Sequence, residues 1–365
     1  MIVIAVDARQ AYRADRRGMG NVLVSVLREL ARQRPDWRFR LFHQTPAATD
    51  PFVDLPNISR KQIDIPAGDR FDLWERVRLP AAAALSGANL LFSPANTGPG
   101  RATMPRVVLL HDLIPLEIDP NSAVAQDWLR QVTRAVRRAA VVFTGSEYTK
   151  GVIADFFRLP PERITVLRWA TDLTRETDGD RIAAAKRKYG LNPDDRYAFG
   201  FAAADARKNT RRLLEAFAAV PGDVRLLLVG AQGAALDEFR QSADPRVVLH
   251  GFAAAADLPA LLSGADALCF PSRSEGFGLP VLDGFACGVP VLTGNRTSLP
   301  EVAGDAAVLV DPDSTDDIRD GLSRLLSDAG LRAELAAKGT ERLKQYTWAG
   351  TARVVAEAFE KAIGR

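Results

Sequence analysis

Residues Pro271–Leu292 read PSRSEGFGLPVLDGFACGVPVL. Two acids, Glu275 and Asp283, bracket a run with little other polarity. The residues just before, ALCFPS from Ala267 to Ser272, form a short apolar run of the kind a doubly covered strand needs. RSEGFG then reads as a loop, and Pro280 suits the first turn of a helix, where a missing N–H does no harm. The helix is expected to run to about Cys287 and to stop at Gly288 before a further strand, VPVL. A strand, a glycine-bearing loop and a helix in this order leave the helix's first amides free for a phosphate. Gly276 and Gly278 let a ligand approach the backbone closely. Glu275 and Asp283 are placed to accept hydrogen bonds from two sets of hydroxyls, and a nucleotide sugar presents hydroxyls and a diphosphate together.

Outward from this stretch, apolar runs alternate with helical patterns along all 365 residues. IVIAV, FRLFH, NLLFS, RVVLLHD, AVVFTGS and RITVLRW are expected strands of the first half. YAFGFA, VRLLLVG, RVVLHGF, ALCFPS, VPVLTG and AAVLVD are those of the second. Amphipathic segments such as NVLVSVLRELARQ and AQDWLRQVTRAVRRAA lie between them. Such alternation predicts α/β architecture with parallel sheets covered on both faces. A polar stretch at about 170–190 crosses no strand pattern and reads as a linker. The expected arrangement is two doubly wound, Rossmann-like domains facing across a cleft, with ligands at the carboxyl ends of the strands.

A hydrophobic content of 47% supplies two ordinary cores, and 25% charged residues suits a globular chain. No apolar run reaches the ~18 residues of a membrane span. The opening MIVIAVDARQ reads as a first strand rather than a secretory leader. The two cysteines, Cys269 and Cys287, sit in apolar runs and read as core packing in a reducing cytoplasm. Three histidines, His43, His111 and His250, argue against a histidine-rich metal centre. The Asp-x-Asp pairs Asp178–Asp180 and Asp311–Asp313 sit in Gly or Pro turns and read as turn residues. No Walker loop, nucleophile elbow or nicotinamide fingerprint is present. Residues 1–170 carry 24 Lys and Arg against 17 Asp and Glu. That basic half, with Arg130, Arg134, Arg137 and Arg138 on one helix, suits an anionic lipid surface or an ordinary solvated face.

The segment PSRSEGFGLPVLDGFACGVPVLTGNRTSLPEVAGDAAVLVDP resembles the donor site of the GT-B retaining glycosyltransferases of family 4. The family pattern is Glu, seven residues, then Glu; here Glu275 matches the first acid and Asp283 replaces the second. The resemblance implies that Glu275 holds the donor sugar's hydroxyls and Asp283 the ribose. It implies that the amides around Phe277, Gly278 and Leu279 meet sugar and phosphate. ADARKNTRRLLEAF resembles the family's diphosphate-binding turn, with Arg207 and Lys208 stabilising the departing diphosphate. Many members carry another arginine just after the preceding strand, where this chain has FAAAD, Phe201 to Asp205. RADRRGMGNV resembles the glycine-rich loop after the first strand, with Gly18 and Gly20 preceding a helix that starts near Asn21. RVVLLHDLIPLE places His111 where the family has a histidine near the donor sugar. Ser146 and Glu147 read as a helix cap.

The resemblance covers nearly the whole chain. It implies an acceptor-binding domain at 1–172 joined by a crossover helix at about 347–365, and a nucleotide-sugar-binding domain at 188–346. The implied enzyme is a retaining, metal-independent hexosyltransferase without a cofactor, its donor substrate a nucleotide-diphosphate sugar. GMGN, HDLIPLE and RKNT resemble mannosyltransferases of surface-polysaccharide assembly, which implies GDP-mannose or a related GDP-sugar. The expected acceptor is a glycan or lipid-linked oligosaccharide, with no nucleic acid partner. The expected location is cytoplasmic, peripheral at the inner face of the membrane. A nucleotide-sugar epimerase and a non-catalytic sugar-nucleotide-binding protein are the rival readings.

Overall fold

The computed structural model describes residues 1–364 except 14, 15, 17, 45–48, 66–72 and 119. The chain divides into two units, Met1–Trp169 with Thr347–Arg365, and Ala170–Tyr346.

The first unit holds strands β1 (Val3–Asp7), β2 (Arg38–His43), β3 (Ile58–Gln62), β4 (Leu90–Ser93), β5 (Arg106–Leu109), β6 (Val141–Thr144) and β7 (Ile164–Val166). They pair in parallel in the order β3-β2-β1-β4-β5-β6-β7. All five residues of β1 are buried, because helices cover both faces of a central parallel strand. β3, with sequence ISRKQ, is an edge strand that the apolar-run criterion misses. One side of it pairs with β2, and its polar side chains meet water. The last helix, Trp348–Ile363, belongs to this unit. Its Phe359 packs between Phe92, Phe143 and Trp37, with ring centroids 5.3, 6.0 and 6.5 Å away.

The helix Gly18–Gln33 begins three residues earlier than expected, so Gly18 and Gly20 lie inside its first turn rather than before it. Residues 14, 15 and 17 of that glycine-rich stretch lie outside the described residues. A Cβ on Gly20 would stand 2.5 Å from the carbonyl oxygen of Gln10. Gly20 therefore allows the segment after β1 to lie against the helix. Ser146 caps Glu147–Phe157, accepting from the Thr149 amide at 3.1 Å.

The second unit holds β8 (Tyr197–Phe201), β9 (Arg225–Val229), β10 (Val247–His250), β11 (Ala267–Phe270), β12 (Val291–Gly294) and β13 (Ala307–Val310). Their order is β10-β9-β8-β11-β12-β13, again all parallel. The stretch expected to be a linker is part of this unit, which starts at Ala170 rather than 188. Asp178 caps the helix Gly179–Lys188 through the amides of Asp180 and Arg181. The Glu176 amide donates to Ser263 at 2.9 Å. Polarity here reflects capping and edge packing rather than freedom.

Successive strands run outward from β8 in one direction and from β11 in the other. The strand order reverses its direction between these two neighbours, and the crevice of such a switch point lies at their carboxyl ends.

Candidate active site

The loops after β8 and β11 converge at that crevice. After β8 the chain makes a tight turn, Ala206–Lys208, capped by Asp205, whose Oδ1 accepts from the Arg207 amide at 3.0 Å. Asn209 then adopts φ +62°, a conformation asparagine tolerates better than most residues. Its side-chain amide donates to the carbonyls of Pro271 and Pro312 at 3.0 and 2.6 Å, tying three loops together. The turn thereby presents Arg207 and Lys208 to the loop after β11.

Glu275 receives both cations. Lys208 Nζ lies 2.6 Å from Oε1, and Arg207 Nη1 lies 3.0 Å from Oε2. Ser272 is fully buried, and its hydroxyl donates to the same Oε1 at 2.7 Å. Arg207 also donates to the Ser274 carbonyl at 2.9 Å and pairs with Asp205 at 3.0 Å. The Glu275 amide donates to Thr297 Oγ1 at 3.1 Å, while Ser298 Oγ donates to the carbonyls of Glu275 and Phe277. The carboxylate thus sits on a loop whose backbone is fixed from the segment after β12. Ser272, Thr297, Ser298 and Asn209 are supports that the sequence analysis assigned no role. Ser272, Thr297 and Ser298 lie in the motif-bearing segment, but only their partners distinguish them from ordinary loop hydroxyls.

Gly278 has φ +110° and caps the helix Leu279–Ala286, with Pro280 in its first turn. A Cβ on Gly278 would lie 2.8 Å from Leu299 Cδ2, so both conformation and space call for glycine. Among the described residues no acceptor pairs with the amides of Phe277, Gly278 and Leu279. The Phe277 ring is buried edge-on to Tyr346 at 6.0 Å, so its side chain is packing. Free amides at a helix start carry partial positive charge suited to an anion.

Asp283 lies one turn into this helix and accepts from Thr171 Oγ1 at 2.5 Å. Burial pushes its carboxyl up to about 6; the Thr171 hydrogen bond opposes the rise and the Asp172 charge adds to it. In an unfolded chain the value is about 3.9. The folded state therefore holds the proton more tightly, and this carboxyl costs stability as pH rises from about 4 to about 6. The full cost, up to about 3 kcal/mol, stands above pH 6. Asp283→Asn is expected to raise stability at pH 7.5 and to leave it unchanged near pH 4, by denaturant titration. If Asp283 grips ribose hydroxyls, donor affinity moves oppositely, strengthening through pH 6 in the wild type and staying flat in Asp283→Asn. Parallel pH profiles in the two proteins would remove Asp283 from the site.

Gly18, Gly20 and His111 belong to the first unit. His111 follows β5, and its amide donates to Asn96 Oδ1 at 2.8 Å. Burial lowers the imidazole to about 4, so it is neutral at pH 7. The Pro94 carbonyl, 3.3 Å from Nε2, can only accept, which places the proton on Nε2 and leaves Nδ1 an acceptor.

Of the two Asp-x-Asp pairs, Asp178 caps a helix, and Asp313 is held by Arg212, Arg273 and Arg296. Among the described residues no group of three His, Cys, Asp or Glu side chains gathers to hold a metal ion. No helix among them is long and apolar enough to cross a membrane.

Two parallel-sheet units, the second with a carboxylate, two cations and a bare helix start at its strand crossover, have the architecture of a GT-B glycosyltransferase. Residues 182–342 match the model for glycosyl transferases group 1, and residues 16–175 match that for glycosyltransferase family 4. The chain is 32% identical over 221 residues to O-antigen chain mannosyltransferase B of Escherichia coli, covering 58% of each protein. It is 27% identical over 277 residues to the serotype-specific mannosyltransferase WbdA of Escherichia coli, covering 70% of this chain. The matches span 58% of the first relative's length and 33% of the second's. The fold matches that of Anabaena HepE, solved in complex with UDP-glucose, with a TM-score of 0.77 at 19% identity. That alignment covers 99% of this chain and 100% of the other. The chain belongs to glycosyltransferase family 4.

Proposed function

We propose that the protein transfers a hexosyl group from a nucleotide-diphosphate sugar to a hydroxyl of a glycan or lipid-linked acceptor, with retention at the anomeric carbon. The observation that carries this reading is Glu275, held by Arg207 and Lys208 beside the free amides of Phe277, Gly278 and Leu279. Glu275 holds the sugar's hydroxyls, Asp283 the ribose, and the two cations with the helix start hold the diphosphate. The second unit is then the donor domain and the first the acceptor domain, with His111, Gly18 and Gly20 contributing from the first.

In the transfer, the bond from C1 to the phosphate oxygen breaks and the acceptor oxygen bonds C1 on the same face. The acceptor's proton passes to the departing phosphate, so no protein nucleophile is required. Arg207 and Lys208 stabilise the charge that builds on the leaving group. Side chains and amides supply that stabilisation here, so the reaction is assigned no cofactor and no metal. The likeness to two mannosyltransferases supports mannose, and we assign GDP-mannose as donor.

The first unit supports a peripheral contact with the inner face of the cytoplasmic membrane. On helix Ala123–Arg138, Arg130, Arg134, Arg137 and Arg138 line one groove with Leu129. Arg130 pairs with Asp127, while Arg134 and Arg137 meet no carboxylate among the described residues. Such a face is attracted to anionic headgroups, and an acceptor carried on lipid would be presented there.

The test is a thermal-shift series with GDP-, UDP-, ADP- and dTDP-sugars, followed by product analysis with the donor that binds. A ligand at 100 times its dissociation constant stabilises the fold by about 2.7 kcal/mol. Stabilisation by GDP-mannose and an α-linked mannosyl product are expected. A sugar isomerised without acceptor would indicate an epimerase, and binding without turnover a non-catalytic protein. Sedimentation with phosphatidylglycerol vesicles, but not with phosphatidylcholine, is the expected membrane result.

A further inference from the structure

We propose that Thr97 and Glu75 are positioning residues for His111, an inference that rests on the role given to His111 above. All three belong to the first unit, at the crossover between β1 and β4, where a hydrogen bond joins Glu75 to Thr97 and the turn that carries Thr97 bonds His111.

The hydrogen bonding starts at the end of β1. Asp7 is fully buried and takes the Arg9 guanidinium on both oxygens, from Nε at 2.9 and 3.0 Å and from Nη2 at 2.5 Å. Arg9 lies over the Trp74 ring, 4.8 Å from its centroid, and donates from Nη2 to Glu75 Oε2 at 2.6 Å. Trp74 and Glu75 open a π-helical turn, Trp74–Arg78, and both are buried although consecutive. Such turns place side chains where an α-helix would not, and they are frequent at functional sites. Burial raises the Glu75 carboxyl above its usual range, against the pull of Arg9.

Glu75 Oε2 also accepts from Thr97 Oγ1 at 2.7 Å. Thr97 closes the turn that follows β4. In that turn Asn96 has φ +65°, a conformation asparagine tolerates better than most residues. Asn96 is held by its amide, which donates to the Leu109 carbonyl at 3.0 Å, and by Thr97 next to it. The same turn grips His111 twice, through Asn96 Oδ1 on its amide and the Pro94 carbonyl on its ring. The two hydrogen bonds that hold His111, one on its amide and one on its ring, therefore come from a turn anchored to the buried Arg9 cluster by one threonine hydroxyl. Trp169 flanks the ring at 6.1 Å between centroids. A misplacement of about 1 Å at a reacting group can cost roughly a hundredfold in rate, which gives this anchor kinetic weight.

Thr97 is the residue to change, because removing the buried Glu75 carboxylate would take a partner from Arg9 and from Thr97 together and mix the two effects. Thr97→Val keeps the side chain's shape and removes the hydroxyl. With GDP-mannose as donor and GDP release as readout, kcat is expected to fall roughly ten- to a hundredfold. The donor KM should stay near wild type, the melting temperature should fall by no more than one hydrogen bond to a carboxylate contributes, and Thr97→Ser should restore both kcat and melting temperature. Hydrogen exchange of the His111 amide should quicken in Thr97→Val and return to wild type in Thr97→Ser. Adding Thr97→Val to His111→Ala should cost nothing further, since coupled residues are non-additive. Wild-type kcat in Thr97→Val, with His111→Ala impaired, overturns the relay alone. Full additivity, or failure of Thr97→Ser to rescue, does the same. Wild-type turnover in His111→Ala overturns the role of His111 and the relay with it.

Discussion

Glu275→Ala is expected to stop sugar transfer while tightening the hold on a bare nucleoside diphosphate. The Glu275 carboxylate occupies both cations, at 2.6 Å from Lys208 and 3.0 Å from Arg207. Opposite charges 4 Å apart near a protein surface attract by about 4 kcal/mol before desolvation, so the diphosphate must compete with Glu275 for its own binding groups. On the proposed roles, removing the carboxylate frees both cations for phosphate and removes the acceptor for the sugar's hydroxyls. Transfer should fall roughly a thousandfold, the scale of losing a principal transition-state contact. GDP should bind as well as or better than to wild type, and the extra affinity contributed by the sugar should vanish. The fold should survive, because Ser298 and Thr297 still hold the backbone of residues 275–277. A stability loss of about 1–3 kcal/mol is expected, because Lys208 loses its one carboxylate partner while Ser272 and Arg207 each lose one acceptor of several. Titration calorimetry with GDP and GDP-mannose on both proteins reads all of these. Weaker GDP binding in the variant would mean that Glu275 organises the cations rather than competing for them. Near-normal transfer would remove it from the donor site.

The strands were legible because a parallel strand covered on both faces must be apolar throughout. β8 and β11, at the heart of the second sheet, read directly from YAFGFA and ALCFPS. The same logic failed at β3, whose ISRKQ faces water, and at Gly18, where glycines open a helix instead of preceding it. Glu275 was legible as an acid between a strand and a helix-start proline. Its supports were not. Ser272, Thr297 and Ser298 are ordinary loop hydroxyls until the loops after β11 and β12 meet. The positive φ of Asn209 is a tertiary outcome that no local preference dictates. The partner of Asp283, Thr171, stands 112 residues away in a stretch that resembled a linker. Contacts at such separation depend on the assembled sheet, which spacing along the chain does not report.

The two cations are expected to fail differently. Arg207 is tied to Asp205, to the Ser274 carbonyl and to Glu275, joining the turn after β8 to the loop after β11. Lys208 has one carboxylate partner, Glu275, and otherwise lies over the Phe270 ring at 4.9 Å. A lysine is a flexible point charge that can swing from a carboxylate to a phosphate, whereas a guanidinium held on three groups keeps its place. Lys208→Met should therefore lower kcat roughly a hundred- to a thousandfold with little change in melting temperature, because the lost charge acts on the departing diphosphate. Arg207→Met should lower the melting temperature, weaken donor binding and reduce kcat together, because it releases the loop that carries Glu275. The segment after β8, FAAAD from Phe201 to Asp205, carries no cation of its own, so none there offsets either loss. Steady-state kinetics and melting curves on the two variants separate the roles. Equal kcat losses with equal melting temperatures would make the pair one diffuse charge, and wild-type turnover in Lys208→Met would leave the leaving group to Arg207 and the helix start.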